Sequence, residues 1–497
     1  MRPNILLVLT DQQRTDTLSC YGARHTHTPV ADDLAARGAV FERAYCCNPV
    51  CGPARASIFT GKMVSRHGVW NVGIDLPETE TLISHRLLQA GYRTHYVGKA
   101  HFQTWQGAGS KEVHGPHYPS WTGPYYGFET VELSLGHGSW GLAGHYGEWV
   151  RSQVSADEFA AYRQAQCRSP YEFGGAAYDW PLPVRLHSSV WTAERAMHFI
   201  DHHDARRPFF LTVSFQDPHH PHCVPADLAD RVDPRDVPPP DYTDGELEDK
   251  PAHFMEAFLG RIQSSRFKGQ YAVAGQLPEA DFRKVSEKDA REGIAYYHTL
   301  AKFVDQQLGR IVDHLRQKGL ADNTLIVFTS DHGELLGDHG IWMKGPFHYE
   351  PLVRIPLIAC WPAGFGGGVR SGAVVNHLDL AATITAAAGL PASDDMDGTS
   401  LLPLCRRQTD RVRQCTLVEH IDDPAKLRLK TIITPDRKLT WYAGQDDGEL
   451  YDLQQDPREK VNRWSDPAYA ADRSRLLGLL LSQLERSEKR LPRTCYV

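Results

Sequence analysis

The sequence predicts an α/β fold, a large mixed, mostly parallel sheet sandwiched by helices, with a smaller C-terminal α+β subdomain. Three observations predict it. Near-continuous apolar runs recur at Asn4–Thr10 (NILLVLT), 208–215 (PFFLTVSF) and Thr324–Ser330 (TLIVFTS), the pattern of strands buried on both faces. Helical patterns separate them, including a long amphipathic one over 287–319 with apolar positions from Ile294 to Leu315. Beyond residue 408 the pattern changes to short strand-like runs at 414–420, 428–433 and 438–443, then a helix from about 469 to 489. A chain of 497 residues exceeds the size at which a single core keeps growing, so the division expected is a large α/β domain over 1–408 and a subdomain over 409–497.

Taken in order, the first strand ends in Asp11-Gln12. Ligands gather beyond the carboxyl ends of strands in open α/β sheets, so this acid and amide are candidate metal ligands; the alternative is a turn-initiating Asp. Thr28-Pro29 opens a helix to Arg37, and 39–45 reads as a strand leading into CNPVCGPARASIFTG at 47–61. Pro53 suits a first helical turn and 54–62 reads as a short helix, which puts Cys51 at a helix N-terminus with Arg55 one turn on. Exposed amides and a fixed cation favour an anion there. A loop carrying Asn71 follows, then a helix over 80–90 and a strand over 92–97 that ends in Gly98-Lys99-Ala100-His101.

Residues 103–186 are rich in Gly, Tyr, Trp and His and read as loops and short elements, either shaping a pocket or forming a satellite core. After a helix over 189–202, the strand at 208–215 delivers Asp217-Pro218-His219-His220-Pro221. Residues 221–285 are Pro- and Asp-rich and read as a surface excursion. The strand Thr324–Ser330 ends in Asp331-His332-Gly333-Glu334, Lys344 follows in GIWMK, and 376–390 reads as a helix.

Composition narrows the function classes. A formal charge of −7 and a pI near 6.4 give no general reason to bind nucleic acid or an acidic membrane. The apolar run near the N-terminus leads straight into functional-looking residues and reads as strand, not signal, so a soluble, cytoplasmic protein is expected, periplasmic if a leader was trimmed. Ten cysteines without regular spacing do not make a disulfide framework.

The pattern C-x-P-x-R at Cys51, Pro53 and Arg55, followed by Thr60-Gly61, resembles the signature of the type I sulfatases, a family of the alkaline phosphatase superfamily. Distant segments carry the same resemblance: Lys99 and His101 match a G-K-x-H pair, His219 a P-H-x-P loop, Asp331-His332 a T-S-D-[NH]-G segment, Lys344 a sulfate-binding lysine, and ELYDL at 449–453 the C-terminal subdomain. It runs from Asn4 to about Asn462. The resemblance implies that a formylglycine-generating enzyme converts Cys51 to formylglycine, the nucleophile. It implies one divalent metal at Asp11, Gln12, Asp331 and His332 with residue 51. Calcium is the family expectation, and the imidazole brings in manganese, with magnesium a further alternative. It further implies that Arg55, Lys99 and Lys344 meet the charge on the sulfuryl oxygens, that His219 protonates the leaving alcohol, and that His101 takes the proton that releases sulfate. His220 and Asn71 are additional candidate substrate contacts.

The sequence departs from the commonest family pattern in Gln12, where many members have a second acid, and in His332, where many have Asn. Gln12, Asn71, the CGPARAS wording and Asp331-His332 resemble the phosphonate monoester and phosphodiester hydrolases, which use the same formylglycine. Those lack the lysine and histidine of G-K-x-H that this chain keeps. The expected substrate is therefore a small-molecule or saccharide sulfate ester, with phosphonate or phosphodiester cleavage as the alternative. A non-catalytic binding module would be marked by loss of nucleophile or metal acids, and neither is lost. Choline sulfatases share part of the motif wording, so the organic part of the substrate stays open. A homo-oligomer is expected, with the tail SEKRLPRTCYV reaching a neighbouring subunit.

Overall fold

The computed structural model describes residues 2–105, 107, 109–112, 120–165, 177–267, 281–423 and 427–488. In chain order the strands are β1 Asn4–Thr10, β2 Ala39–Tyr45, β3 Arg93–Gly98, β4 Thr130–Leu133, β5 Ala177–Trp180, β6 Phe209–Ser214, β7 His222–Pro225, β8 Thr324–Ser330, β9 Leu357–Cys360 and β10 Val369–Asn376. Then come β11 Thr416–Asp423, β12 Leu427–Ile433, β13 Arg437–Tyr442 and β14 Gly448–Asp452. Eight of them form one sheet in the order β10-β2-β9-β8-β1-β6-β3-β4, in which β9 alone runs antiparallel to its neighbours.

β1 explains the architecture. Every residue is buried, with Ile5, Leu7 and Leu9 in one core and Leu6 and Val8 in the other, because side chains alternate across a strand. The first core takes the helices Cys51–Thr60, Ile83–Gln89 and Leu378–Ala387. On the opposite face lie Pro29–Arg37, Ser188–Asp201 and the long Glu287–Gln317. No helix of the described residues is long and apolar enough to cross a membrane.

Register decides where function collects. Thr10 pairs with Ser330, Leu9 with Ser214, and Ser214 with Gly98, so β1, β8, β6 and β3 end level with one another. Pairing continues one residue further, with Asp11 N–H donating to Asp217 O (3.3 Å), Asp331 N–H to Thr10 O (3.2 Å) and Lys99 N–H to Ser214 O (3.1 Å). Residues 11, 99, 217 and 331 are thereby fixed on one sheet edge.

The C-terminal strands form an antiparallel sheet, β11-β12-β13-β14, covered by the helix Ala470–Ser487. Leu476 and Leu480 of that helix share a core with Leu417, Ile432, Leu439 and Leu450, and with Cys47 and Leu378 of the large domain. A fully buried ammonium strengthens the seam: Lys438 Nζ lies 2.7 Å from both Glu350 Oε1 and Glu459 Oε1 and donates to His348 O (3.1 Å).

Several elements differ from the sequence expectation. The cysteine helix starts at Cys51, not Ala54, and the helix expected over 80–90 starts at Ile83. β4, β9 and β10 were not anticipated. β4 and β9 are only four residues long, and β10 (VRSGAVVN) contains Gly and Arg on its exposed positions. Among its described residues the stretch 103–186 holds two α-helices, Gly144–Gln153 and Ala156–Gln164, the second opened by a Ser155–Glu158 capping box that the sequence SADE does spell. Residues 489–497 of the tail expected to reach another subunit lie outside the described residues.

Candidate active site

Cys51 is the first residue of a helix buried along its whole length and closed by Gly61, whose φ of 69° is the left-handed conformation that terminates a helix without a Cβ penalty. Its Sγ lies 3.5 Å from Asp11 Oδ1 and 3.3 Å from His332 Nε2, and it accepts from Lys344 Nζ at 3.0 Å. Burial and Asp11 oppose ionisation of the thiol, yet Lys344, Lys99 and His332 outweigh them and hold it well below the ordinary thiol range.

On one side of Cys51 stand the acids. Donor atoms of Asp11, Cys51, Asp331 and His332 all lie within 4.8 Å of one another, and all four residues are buried. Burial opposes the charge on Asp11, but Lys99 and Arg55 hold its carboxyl well below the usual range; Asp331, buried and facing Asp11, is pushed up. His332 Nδ1–H donates to Gly333 O (2.8 Å), which turns Nε2 toward the thiol. Gln12 sits at φ 64°, with its backbone N–H on Asp331 Oδ1 (2.9 Å) and its side-chain Oε1 buried without a hydrogen-bond partner among the described residues. Two carboxylates and an imidazole nitrogen that converge, with an orphaned amide oxygen on the residue next to Asp11, fit a divalent cation.

Arg55, expected at the sulfuryl oxygens, is turned to the acids, with Nη2 left without a hydrogen-bond partner among the described residues. It is fully buried, donates through Nε to Asp331 Oδ2 (2.9 Å) and through Nη1 to Ser214 Oγ (2.8 Å) and Lys99 O, and lies 3.6 Å from Asp11 Oδ2. It neutralises the acidic set and fixes its geometry.

The other side of Cys51 is cationic. Lys99 Nζ pairs with Asp11 Oδ2 and lies 2.9 Å from His137 Nε2. Burial disfavours its charge, but Asp11 holds its pKa above the ordinary value. Lys344 Nζ lies 2.9 Å from His219 Nε2, and His219 Nδ1 meets the His220 carbonyl. Burial first, then His137 and Lys344, push His219 well below its ordinary value.

His137 went unremarked in the sequence. It stacks on His219 with centroids 3.6 Å apart and planes 8° from parallel, and its Nε2 lies 3.7 Å from Asp11 Oδ2. The loop bearing it is pinned by Gln216 Nε2 donating to Gly136 O. Asp11, His137 and His219 form a second group whose donor atoms converge within 4.8 Å, but the ammonium groups of Lys99 and Lys344 stand against it, so this side receives an anion.

The remaining candidates are held by contacts of their own. His101 sits at φ 57° with its backbone N–H on Glu112 Oε2 (2.8 Å), and its Nδ1 is buried with no hydrogen-bond partner among the described residues. Asn71 spends its carboxamide on the backbone, donating to Ile421 O (3.1 Å) and Asp422 O (3.3 Å) and accepting from Val72 N (2.8 Å). It ties β11 to the site. His220 Nδ1 meets the Gln12 amide at 3.0 Å, which engages it with Gln12.

A family model described as Sulfatase matches residues 3–390. The chain belongs to the sulfatase family. A model described as N-sulphoglucosamine sulphohydrolase, C-terminal, matches residues 337–487 of this sulfatase-family chain. It is 28% identical over 494 residues to the "Uncharacterized sulfatase YidJ" of Escherichia coli, covering 98% of this chain and 88% of that protein. To the "Arylsulfatase" of Clostridium perfringens it is 26% identical over 504 residues, covering 98% and 96%. Among solved structures, the phosphonate monoester hydrolase of Agrobacterium radiobacter superposes with a TM-score of 0.79 at 26% identity, covering 98% of this chain and 96% of that one.

Proposed function

We propose that this sulfatase-family chain hydrolyses sulfate monoesters of an organic alcohol or phenol, with Cys51 converted to formylglycine and a divalent cation held by Asp11, Gln12, Asp331 and His332. The observation that carries the reading is Cys51 itself: a buried residue at a helix N-terminus, between a converging acidic set and two buried ammonium groups, Lys344 at 3.0 Å and Lys99 on Asp11. When present, the cation supplies a Lewis acid beside residue 51, and the hydrated aldehyde supplies one hydroxyl to attack sulfur and a second whose proton loss frees the sulfate.

The chain's own groups account for the rest. Lys99 and Lys344 donate to the equatorial oxygens as charge develops on them, in a site where no reorganisation is needed because Asp11, His137 and His219 already hold both amines. His219 donates through Nδ1 to His220 O, so Nε2 is the nitrogen assigned to the departing oxygen, to which it gives a proton in the imidazolium form that a bound anionic ester favours. His101, with Nδ1 unpartnered, is the base assigned to the second hydroxyl.

A specific observation supports a second reading, phosphonate monoester or phosphodiester cleavage at the same site: the 0.79 TM-score to a phosphonate monoester hydrolase, together with His332 in the converging donor set and Gln12 bonded to its Asp331. Peptide mass spectrometry of the Cys51 segment, from protein made with a formylglycine-generating enzyme, combined with turnover of an aryl sulfate and an aryl phosphonate, tests both. An aldehyde at residue 51 with faster sulfate release is expected. Faster phosphonate cleavage promotes the second reading, and an active enzyme with an unmodified thiol overturns both.

A further inference from the structure

We infer that Glu334 and His220 are positioning residues that lock the Gln12 side chain with its oxygen toward the metal set. The inference rests on the metal reading above and concerns residues to which that reading gives no such part.

The Gln12 amide has two N–H donors and one oxygen. Both donors face defined acceptors: Nε2 meets Glu334 Oε2 and lies 3.0 Å from His220 Nδ1. Turning the amide over would set its oxygen against a carboxylate oxygen and an imidazole lone pair, so only one orientation is satisfied. That orientation leaves Oε1 buried and without a hydrogen-bond partner among the described residues, on a residue whose backbone N–H is bonded to Asp331 Oδ1 at 2.9 Å. A buried, unpaired amide oxygen is costly unless a cation meets it. Neighbouring groups hold the rest of the residue, since Tyr297 Oη–H donates to Gln12 O at 2.6 Å and φ is 64°.

Glu334 is itself built in. It is 2% exposed, its Oε1 accepts from Leu336 N–H (3.0 Å), its backbone N–H donates to Pro351 O (3.2 Å), and Arg14 Nη1 donates to its carbonyl (3.3 Å). It is not a member of the group Asp11, Cys51, Asp331 and His332 whose donor atoms converge. A carboxylate accepting from the amide polarises it and increases electron density on Oε1, the way outer carboxylates tune ligating imidazoles. His220, three residues past Asp217 on the loop after β6, supplies the second acceptor, which accounts for the side chain beside His219.

The test measures metal, not turnover. Wild-type protein, E334A, E334Q, Q12E and the swap Q12E/E334Q are each titrated with Ca²⁺ and with Mn²⁺, reading bound metal per chain by elemental analysis and the rise in melting temperature with metal, with circular dichroism as the fold control. E334A is expected to weaken metal binding 10- to 100-fold. The decisive result is a reversal of sign: E334Q weakens binding beside Gln12 but strengthens it in the Q12E background, where it removes a carboxylate pair and restores an amide–carboxylate contact. Metal affinity unchanged in E334A, or an E334Q effect of the same sign in both backgrounds, overturns the inference. A wild-type chain that takes up neither ion sinks the metal reading itself, and the inference with it.

Discussion

The two sides of Cys51 are built differently. Asp11, Gln12, Asp331 and His332 follow directly from the ends of β1 and β8, central neighbours whose register runs unbroken from Asn4–Thr324 to Thr10–Ser330. The cationic side is assembled from the ends of β3 and β6 and from loops: Lys344 comes from an irregular stretch between Met343 at φ 64° and Gly345, and His137 from the connection after edge strand β4. A central pair of strands fixes its end residues through ladder hydrogen bonds, whereas loop residues are fixed only by their side-chain contacts. The difference teaches that the acidic side is a property of the sheet, whereas the cationic side takes Lys99 from the sheet edge and the rest from packing around it.

Removing the shared element has the largest expected effect. Cys51→Ala should cut turnover by roughly 10⁴-fold or more while circular dichroism and melting temperature stay near wild type. Wild-type-like turnover would remove Cys51 from the chemistry and leave the two sides with nothing to act on.

Next come substitutions that separate the sides. Asp331→Ala should lose bound divalent metal and activity together, because the acid belongs to the converging donor set. Lys344→Ala should lower kcat/KM by about 10²- to 10³-fold with metal content retained. Elemental analysis beside kinetics checks both, and metal loss in the lysine variant would show that the sides are not separable.

His137→Phe keeps a ring to stack on His219 but removes the partner of Lys99. The loss expected is about tenfold in kcat/KM, the equivalent of one hydrogen bond to a charged group at about 1.4 kcal/mol. It should be the same for esters of good and poor leaving alcohols, since Lys99 faces the transferred group. A loss that grows as the leaving group worsens would assign the histidine to His219 instead.

The effect smallest on turnover lies outside both sides and is read as stability. His420 in β11 is fully buried, its ring nitrogens have no hydrogen-bond partner among the described residues, and burial pushes it down to about 3. Above about pH 6.5 it is neutral folded and unfolded, and its contribution to stability is whole. As pH falls, the unfolded chain takes up a proton that the folded chain refuses until about pH 3, so stability is lost across that window at up to about 1.4 kcal/mol per pH unit. His420→Phe should flatten the acid limb by one proton, measured as denaturant midpoints at pH 7.5 and 4.5. An unchanged slope would show that His420 does not titrate with unfolding.

Legibility followed the same division. Asp11 and Asp331 could be placed from sequence because each ends a long apolar run, and the structure sets those runs side by side. Lys99 was reached the same way at the end of β3. His137 was not, since SLGHGSW has no periodicity and its importance lies in a ring 3.6 Å away on a segment some eighty residues later. Only the CGPARASIFTG wording marked Arg55, and its contacts with the acids come from a helix that starts at Cys51 and carries residue 55 to the sheet edge. Asn71 was singled out for substrate and is held to the backbone of β11.

By itself, the sequence determined the α/β class, the central strands, the antiparallel C-terminal sheet with its helix, and the residue types that close each strand. Those are local properties, written in period and in the residue that ends it. Tertiary structure alone decided that β9 runs against its neighbours, that Arg55 serves the carboxylates, that His137 joins Lys99 and His219, and that Glu334 grips the Gln12 amide. Each depends on contact between segments far apart in the chain, where register, burial and hydrogen-bond satisfaction are set by the packing of the whole and not by any neighbouring residue.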